Sequence, residues 1–433
     1  MISSSNTFPF CKEMLPAAEP QDLTPVWELT HHHLRPFREH LPLPAESLRS
    51  CPLCGQSQAI ALSVQLGFGG SASLTDAVVH YCPDCSRYSF DPTSQANLSE
   101  DIRGRAVTAV NARRWFASPT FLNIEPTTRC NFRCWYCIGR IMQQVDIRLA
   151  DFEQVFKHFP SLQTIALVGE GEPLLHPDFF RMAEVARDRG VRVMITSNGS
   201  CFTEENIRRL CESGIAYVSV SIDSVDSQTF TESRSPGDLS KIWAGVEQLR
   251  VYRDQHGYRY PVIGLKGTLF PHTVDQLPTI IDEAWRRGME VYEGFQPLNP
   301  MITYLPCYPA DKLKLLASVG DVAAKIAIHS AAAADKLESI SQFCARERID
   351  FDKNGQSNGL RPGCNEQWVY TLASGDITPC CQIKQPISPN WNLFRYDLEA
   401  ILADPCYENI RFNLWNGIFP VACSGCLKIN IGY

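Results

Sequence analysis

Short apolar runs recur through the middle of this chain, and each stops at a small polar cluster. Thr164-Ile165-Ala166-Leu167-Val168 runs into Gly169-Glu170-Gly171-Glu172-Pro173, and Arg192-Val193-Met194-Ile195-Thr196 into Ser197-Asn198-Gly199. Tyr217-Val218-Ser219-Val220-Ser221-Ile222 runs into Asp223. Runs this short read as buried strands, and the amphipathic stretches at 179–189, 203–213, 239–256 and 273–287 read as helices between them. With Phe121-Leu122-Asn123-Ile124-Glu125 in front and strands beginning near Pro261 and Glu290 behind, six strand–helix units can be traced. Repeated units of this kind imply a parallel sheet whose ligands bind beyond the carboxyl ends of the strands.

The first connection is long and carries Cys130-Asn131-Phe132-Arg133-Cys134-Trp135-Tyr136-Cys137. Three thiolates spaced C-x3-C-x2-C on one loop can hold three corners of a cubane iron–sulfur cluster and leave one iron open. The alternative is zinc or three unrelated core cysteines; zinc wants a fourth protein ligand, and none stands out nearby. The later strand ends bring groups suited to one polar ligand. Glycines admit close backbone approach, a carboxylate accepts from an ammonium, and Ser or Asn contacts hydroxyls.

Taken in order, these motifs resemble the radical S-adenosylmethionine (radical SAM) enzymes. The resemblance implies an α/β chain built on an open (β/α)6 partial barrel over residues 119–300. A closed eight-unit barrel needs ~250 residues, more than Phe121 to Gln296 provide. In the family the open iron binds the amino and carboxylate groups of S-adenosylmethionine, and electron transfer then yields a 5′-deoxyadenosyl radical. The implied contacts are Tyr136, Gly171, Glu172, Ser197, Asn198, Ser221, Asp223 and Arg234. Glu172 aligns best with the glutamate that meets the amino group, and Glu170 is a second candidate. On the substrate side, Lys266 and Thr268 from the fifth strand and Glu293 and Gln296 from the sixth are candidates. Lys266 and Glu293 are as readily a simple ion pair as catalytic groups.

Two further cysteine sets flank the barrel. Cys364, Cys380 and the knuckle Cys423-x2-Cys426, with Gly375-Asp376 turning toward Cys380, resemble the twitch domain, a short relative of the SPASM extension. That resemblance implies one auxiliary 4Fe–4S cluster over residues 301–433. Cys381 is the alternative to Cys380, and a zinc site of the same thiolates the alternative to iron. At the front, residues 1–118 contain Cys51-x2-Cys54 and Cys82-x2-Cys85 (within 51–90), knuckles that fit a structural four-cysteine zinc ribbon or a rubredoxin-like iron site. Cys11, Cys201, Cys211, Cys307, Cys344, Cys406 and the spare member of Cys380/Cys381 read mostly as packed apolar residues.

Composition narrows the class. A net charge of −7 argues against nucleic acid, and eighteen cysteines without an export signal at Met1 to Phe10 read as metal ligands in a cytoplasmic chain. No run is expected to approach the ~20 apolar residues that span a bilayer. The expectation is an enzyme that abstracts hydrogen from a small polar metabolite and oxidises it, with the auxiliary cluster accepting the second electron. A ribosomal-peptide maturase, a redox-neutral rearrangement and, least favoured, a non-catalytic metal carrier are the alternatives. No flavin or nicotinamide motif is present, so flavodoxin or ferredoxin is the implied reductant.

Overall fold

The computed structural model describes residues 41–42, 49–50, 58–66, 75–82, 87–90, 121–349 except 161, 369–402 except 379, and 404, 407, 423 and 425–427. The chain divides into two compact units. The first is Met1–Ser118 with Lys353–Gln367 and Tyr396–Val421; the second is Pro119–Asp352 with Trp368–Arg395 and Ala422–Tyr433.

In the first unit, β1 (Leu41–Pro42), β2 (Arg49–Ser50), β3 (Gln58–Leu66), β4 (Thr75–Cys82) and β5 (Arg87–Phe90) form an antiparallel sheet centred on β3 and β4. Ile60, Leu62, Val64 and Leu66 alternate with smaller or polar residues along β3, the period-two pattern of a half-covered strand. Cys82 closes β4. Cys51, Cys54 and Cys85, with which it was expected to share a metal, lie outside the described residues, as does Cys364.

In the second unit, six parallel strands follow one another in chain order: β6 (Phe121–Ile124), β7 (Thr164–Leu167), β8 (Arg192–Ser197), β9 (Ile215–Ser221), β10 (Val262–Leu269) and β11 (Val291–Pro297). The helices Phe179–Asp188, Glu204–Glu212, Leu239–Gln255 and Leu277–Arg286 connect them where the apolar periodicity places helices. Side-chain caps fix two of their starts: Thr203 accepts from the Asn206 N–H, and Asp238 from those of Ser240 and Lys241. The sheet is open and mostly parallel, a partial barrel. It runs further than six strands. β12 (Glu338–Ser339) adds to β11, β13 (Val369–Thr371) adds parallel to β6, and β14 (Ile377–Thr378) pairs antiparallel with β13.

The two ends of the barrel differ in chemistry. Residues from the beginnings of the strands, among them Phe121, Met194, Tyr217, Val262 and Val291, pack on Phe343 and Cys344 of the helix Ile340–Glu347. That helix plugs one end, which leaves the carboxyl ends for polar chemistry. One membrane-related expectation needs correcting: among the described residues, the helical run Leu313–Ala333 is long and apolar enough to cross a bilayer. Its leucines, isoleucines, valines and alanines give it that character, yet Val319, Val322, Ala323 and Ile326 are buried, and its Lys325 pairs with Asp275 at 2.9 Å.

Candidate active site

The loop that follows β6 is anchored at the carboxyl ends of its neighbours. Phe132 N–H donates to the Cys130 Sγ at 3.4 Å and Gly139 N–H to the Cys137 Sγ at 3.3 Å. Backbone bonds from Arg133 to Ser235 O (2.6 Å) and from Trp135 to Ser233 O (3.3 Å) hold the middle of the loop. None of Cys130, Cys134 and Cys137 is in a disulfide. Burial pushes all three thiols up, Cys134 to about 11, and the proximity of Cys134 to Cys130 and of Cys137 to Cys134 adds to it. Burial disfavours the thiolates here, so a metal that binds these sulfurs must displace their protons.

The two glycines of Gly169-Glu170-Gly171-Glu172 make room for the chain itself. A Cβ at Gly171 would stand 2.4 Å from Thr127 O and 2.7 Å from Arg129 O, the backbone leading into Cys130. One at Gly169 would strike the Glu125 side chain at 2.5 Å. Glycine is thus required at both positions so that the strand end and the cysteine loop can approach.

Around this loop sit two polar groups. In the first, Glu172 accepts from Ser197 Oγ (2.9 Å), Asn198 N–H (2.7 Å) and, more weakly, Leu174 N–H (3.3 Å). Asn198 Nδ2 in turn lies 2.9 Å from Asn131 Oδ1 and 3.7 Å from the Cys130 Sγ. Burial outweighs these three bonds and pushes the Glu172 carboxyl up to about 7. In the second, Asp223 is fully buried and accepts from Tyr136 Oη (2.5 Å), from Arg234 Nε and Nη2 (2.7 and 2.9 Å), and from Thr268 N–H (2.9 Å). Tyr136 also carries the Arg234 guanidinium 5.7 Å from its ring centre. Glu172, Ser197 and Asn198 therefore meet as one cluster, and Tyr136, Asp223 and Arg234 as another. Ser221 ends β9, where it pairs in register with Lys266.

Glu170 faces the other way, with its Oε2 accepting from the Cys137 thiol at 3.2 Å. Deeper in the barrel, Lys266 Nζ lies 2.5 Å from Glu293 Oε1, and Tyr217 Oη donates to Glu293 Oε2 at 3.0 Å. A β-bulge brings this about. Leu265 pairs with Tyr292 but Lys266 pairs with Gly294, so Glu293 is the extra residue on β11, and Gly294 takes φ +122°. Burial works against the ionised Glu293, but Lys266, together with the Ser219 and Tyr217 hydroxyls, outweighs it and holds the carboxyl below its usual value. Tyr217 carries no sequence signal for this role, because its partner is set by that bulge.

Two of the C-terminal cysteine-bearing turns pack against the segment that follows β11. Gly425, at φ +83°, leaves the Cys423–Cys426 knuckle against the backbone of Pro300 and Met301, where a Cβ would meet Pro300 O at 2.2 Å. Gln382 N–H donates to the Cys380 Sγ at 3.3 Å, its amide lies 3.6 Å from the Cys381 Sγ, and Asn299 Nδ2 donates to its side-chain oxygen at 2.8 Å. Cys380 is buried and Cys381 half-buried. Among the described residues, no three His, Cys, Asp or Glu side chains form a single-ion site.

The residues around Cys130, Cys134 and Cys137 fit an iron–sulfur cluster by the chemistry of their donors. Three thiols are unbridged, backbone N–H groups point at two of the sulfurs, and Gly139, where a Cβ would stand 3.2 Å from the Cys137 Sγ, leaves room beside that sulfur. The comparisons with known proteins agree. Residues 124–264 match the model of the radical SAM superfamily. The chain is 29% identical to the tungsten-containing aldehyde ferredoxin oxidoreductase cofactor-modifying protein of Pyrococcus furiosus, over 42% of this chain and 52% of that protein. It is 33% identical to the AdoMet-dependent heme synthase of Methanosarcina barkeri, over 31% of this chain and 40% of that protein. The chain thus spans about half the length of these curated relatives or less. The crystal structure of Streptococcus suis SuiB bound to S-adenosylmethionine shares the fold, with TM-score 0.53 at 16% identity over 72% of each chain. The matched residues hold the cysteine loop and the strands β7 to β9, so this part of the chain is similar to the radical SAM superfamily.

Proposed function

We propose that this chain is a radical SAM enzyme that oxidises a small polar metabolite in a biosynthetic pathway. Supporting this most is the convergence of the three unbridged cysteines with Glu172, Ser197 and Asn198 on one side and Tyr136, Asp223 and Arg234 on the other. Cys130, Cys134 and Cys137 hold a 4Fe–4S cluster, which when bound supplies the electron that cleaves S-adenosylmethionine to a 5′-deoxyadenosyl radical. Glu172, poised near neutrality, receives the ammonium of the methionine moiety, and Ser197 and Asn198 orient that carboxylate. Arg234, Asp223 and Tyr136 form the wall that fixes the cysteine loop against β9 and β10. Lys266 and Glu293 present opposite charges to the barrel interior and orient a polar substrate for hydrogen abstraction.

Cys380, Cys423, Cys426 and Cys364 hold an auxiliary 4Fe–4S cluster that takes the second electron, with Cys381 the alternative to Cys380. The meeting of the Cys380 turn and the Cys423 knuckle at Asn299 to Met301 supports that arrangement. Cys51, Cys54, Cys82 and Cys85 bind structural zinc, and a flavodoxin or ferredoxin supplies the reducing electron. The names of the Pyrococcus and Methanosarcina relatives, a cofactor-modifying protein and a heme synthase, favour a small cofactor-type substrate over a peptide. Anaerobic incubation of the reduced holoenzyme with S-adenosylmethionine and size-fractionated extract tests this. Release of 5′-deoxyadenosine stimulated by the small-metabolite fraction is expected; stimulation by the peptide fraction alone would make the chain a peptide maturase.

A further inference from the structure

Behind the cysteine loop lies a buried charge cluster that none of the motifs announces. Lys384, on the segment that follows Cys380 and Cys381, reaches back into the barrel until only 4% of its side chain is exposed. Its Nζ stands 2.8 Å from Glu125 Oε1 and 3.2 Å from Glu170 Oε1, contacts Tyr370 Oη, and lies 4.2 Å from the centre of the Tyr370 ring. Tyr370, on the added strand β13, donates to the same Glu125 oxygen at 2.6 Å. Glu170 carries the cluster forward, since its other oxygen is the one 3.2 Å from the Cys137 Sγ. One carboxylate therefore separates the ammonium from a sulfur of the radical SAM cluster.

The charges do not balance. Two carboxylates share one ammonium, and Glu125 Oε2, fully buried, has no hydrogen-bond partner among the described residues. Burial alone would lower the Lys384 ammonium, but Glu125 and Glu170 together push it well above its usual range, so it stays charged. In a water-poor interior such charges act over several ångströms with little screening.

We propose that Lys384 is a positioning residue that ties the C-terminal cysteine segment to the Cys137 loop and, with Glu125, sets the ease of one-electron reduction of the cluster held there. The inference rests on the reading of Cys130, Cys134 and Cys137 as cluster ligands. The step is [4Fe–4S]2+ plus one electron giving [4Fe–4S]1+, with no bond made or broken. A fixed positive charge nearby favours the reduced form, and a fixed negative charge opposes it.

The test is a mediator-controlled potential titration of the full holoenzyme, followed by electron paramagnetic resonance. The signal that changes on adding S-adenosylmethionine identifies the three-cysteine cluster. Lys384→Met is expected to lower the ratio of reduced to oxidised cluster at a set potential about tenfold, which for one electron corresponds to about 59 mV. Glu125→Gln is expected to raise that ratio, Lys384→Arg to leave it near wild type, and Lys384→Met/Glu125→Gln to return toward wild type. The double variant also removes both members of the buried pair, so it guards against a single variant that does not fold. A purely structural role would make both single variants lose cluster together, with unmoved potentials in what remains; that result would overturn the proposal. A wild-type protein with no signal responsive to S-adenosylmethionine would overturn the cluster reading as well.

Discussion

Tyr136 donates to Asp223 at 2.5 Å across 87 residues of sequence, which fastens the cysteine loop to the end of β9. Tyr136 precedes the last cysteine, so the bond fixes the position of Cys137 as well as that of the ring. Asp223 is in turn the anionic partner of the buried Arg234.

The Tyr136–Asp223–Arg234 group predicts an ordered pair of defects. Tyr136→Phe removes one hydrogen bond to a charged group, a loss of about 1.5–3 kcal/mol. Asp223→Asn leaves Arg234 buried without its carboxylate, a loss of about 3–5 kcal/mol. Urea denaturation of the apo-protein should rank them in that order, and iron retention on gel filtration should follow the same ranking.

Glu172 gives the protein a pH dependence of definite sign. An unfolded glutamate titrates near its ordinary ~4.3, whereas burial holds this one at about 7. Between those values the folded chain binds more protons than the unfolded one. Its contribution is therefore fully present below the lower value and is lost as pH rises through the upper, by about 4 kcal/mol in total. Glu172→Gln should flatten that part of the apo-protein's stability curve. For the wild type, affinity for S-adenosylmethionine should rise through neutrality as the carboxyl ionises, a rise that isothermal titration would find missing in the variant.

Gly171 and Gly320 form a contrasting pair. Alanine at Gly171 drives a Cβ into two backbone oxygens of the loop entering Cys130 and should cost upward of about 1–3 kcal/mol, with loss of bound iron. Alanine at Gly320, in the helix Val319–Ser330 with nothing within 4 Å, should stabilise the fold by about 1 kcal/mol. Equal behaviour of the two variants in thermal unfolding and iron content would show that the close approach at Gly171 does not matter.

Lys266 and Glu293 should separate substrate handling from cofactor cleavage. Lys266→Met and Glu293→Gln are expected to leave the uncoupled release of 5′-deoxyadenosine within about twofold of wild type while product formation falls about 10²-fold or more, the scale set by misplacing a bound reactant. Parallel loss of both readouts would place the pair in the structural core of the barrel rather than at the substrate.

Much of this arrangement was legible in the sequence. Apolar runs that end in Gly-Glu, Ser-Asn and Asp located β7, β8 and β9, because a parallel strand covered on both faces leaves a continuous apolar signature. The cysteine spacing marked out the long loop that follows β6 from its local pattern alone. What stayed hidden depends on register and on long-range pairing. The bulge at Glu293 is one residue of slip between β10 and β11, and the pairing of Lys384 with Glu125 joins positions 259 apart. The strand β13 is three residues long and has no period to read. The run Leu313–Ala333 does not read as an unbroken apolar stretch because Lys314, Asp321, Lys325 and His329 interrupt it.

The most direct test of the central claim is to reconstitute the wild-type protein and Cys134→Ala with iron and sulfide under anaerobic conditions, reduce both, add S-adenosylmethionine and quantify 5′-deoxyadenosine. The account predicts release by the wild type and none by the variant, with the variant still holding the iron bound by its C-terminal cysteines. A wild-type protein that carries its full complement of iron and binds S-adenosylmethionine yet releases no 5′-deoxyadenosine would contradict it.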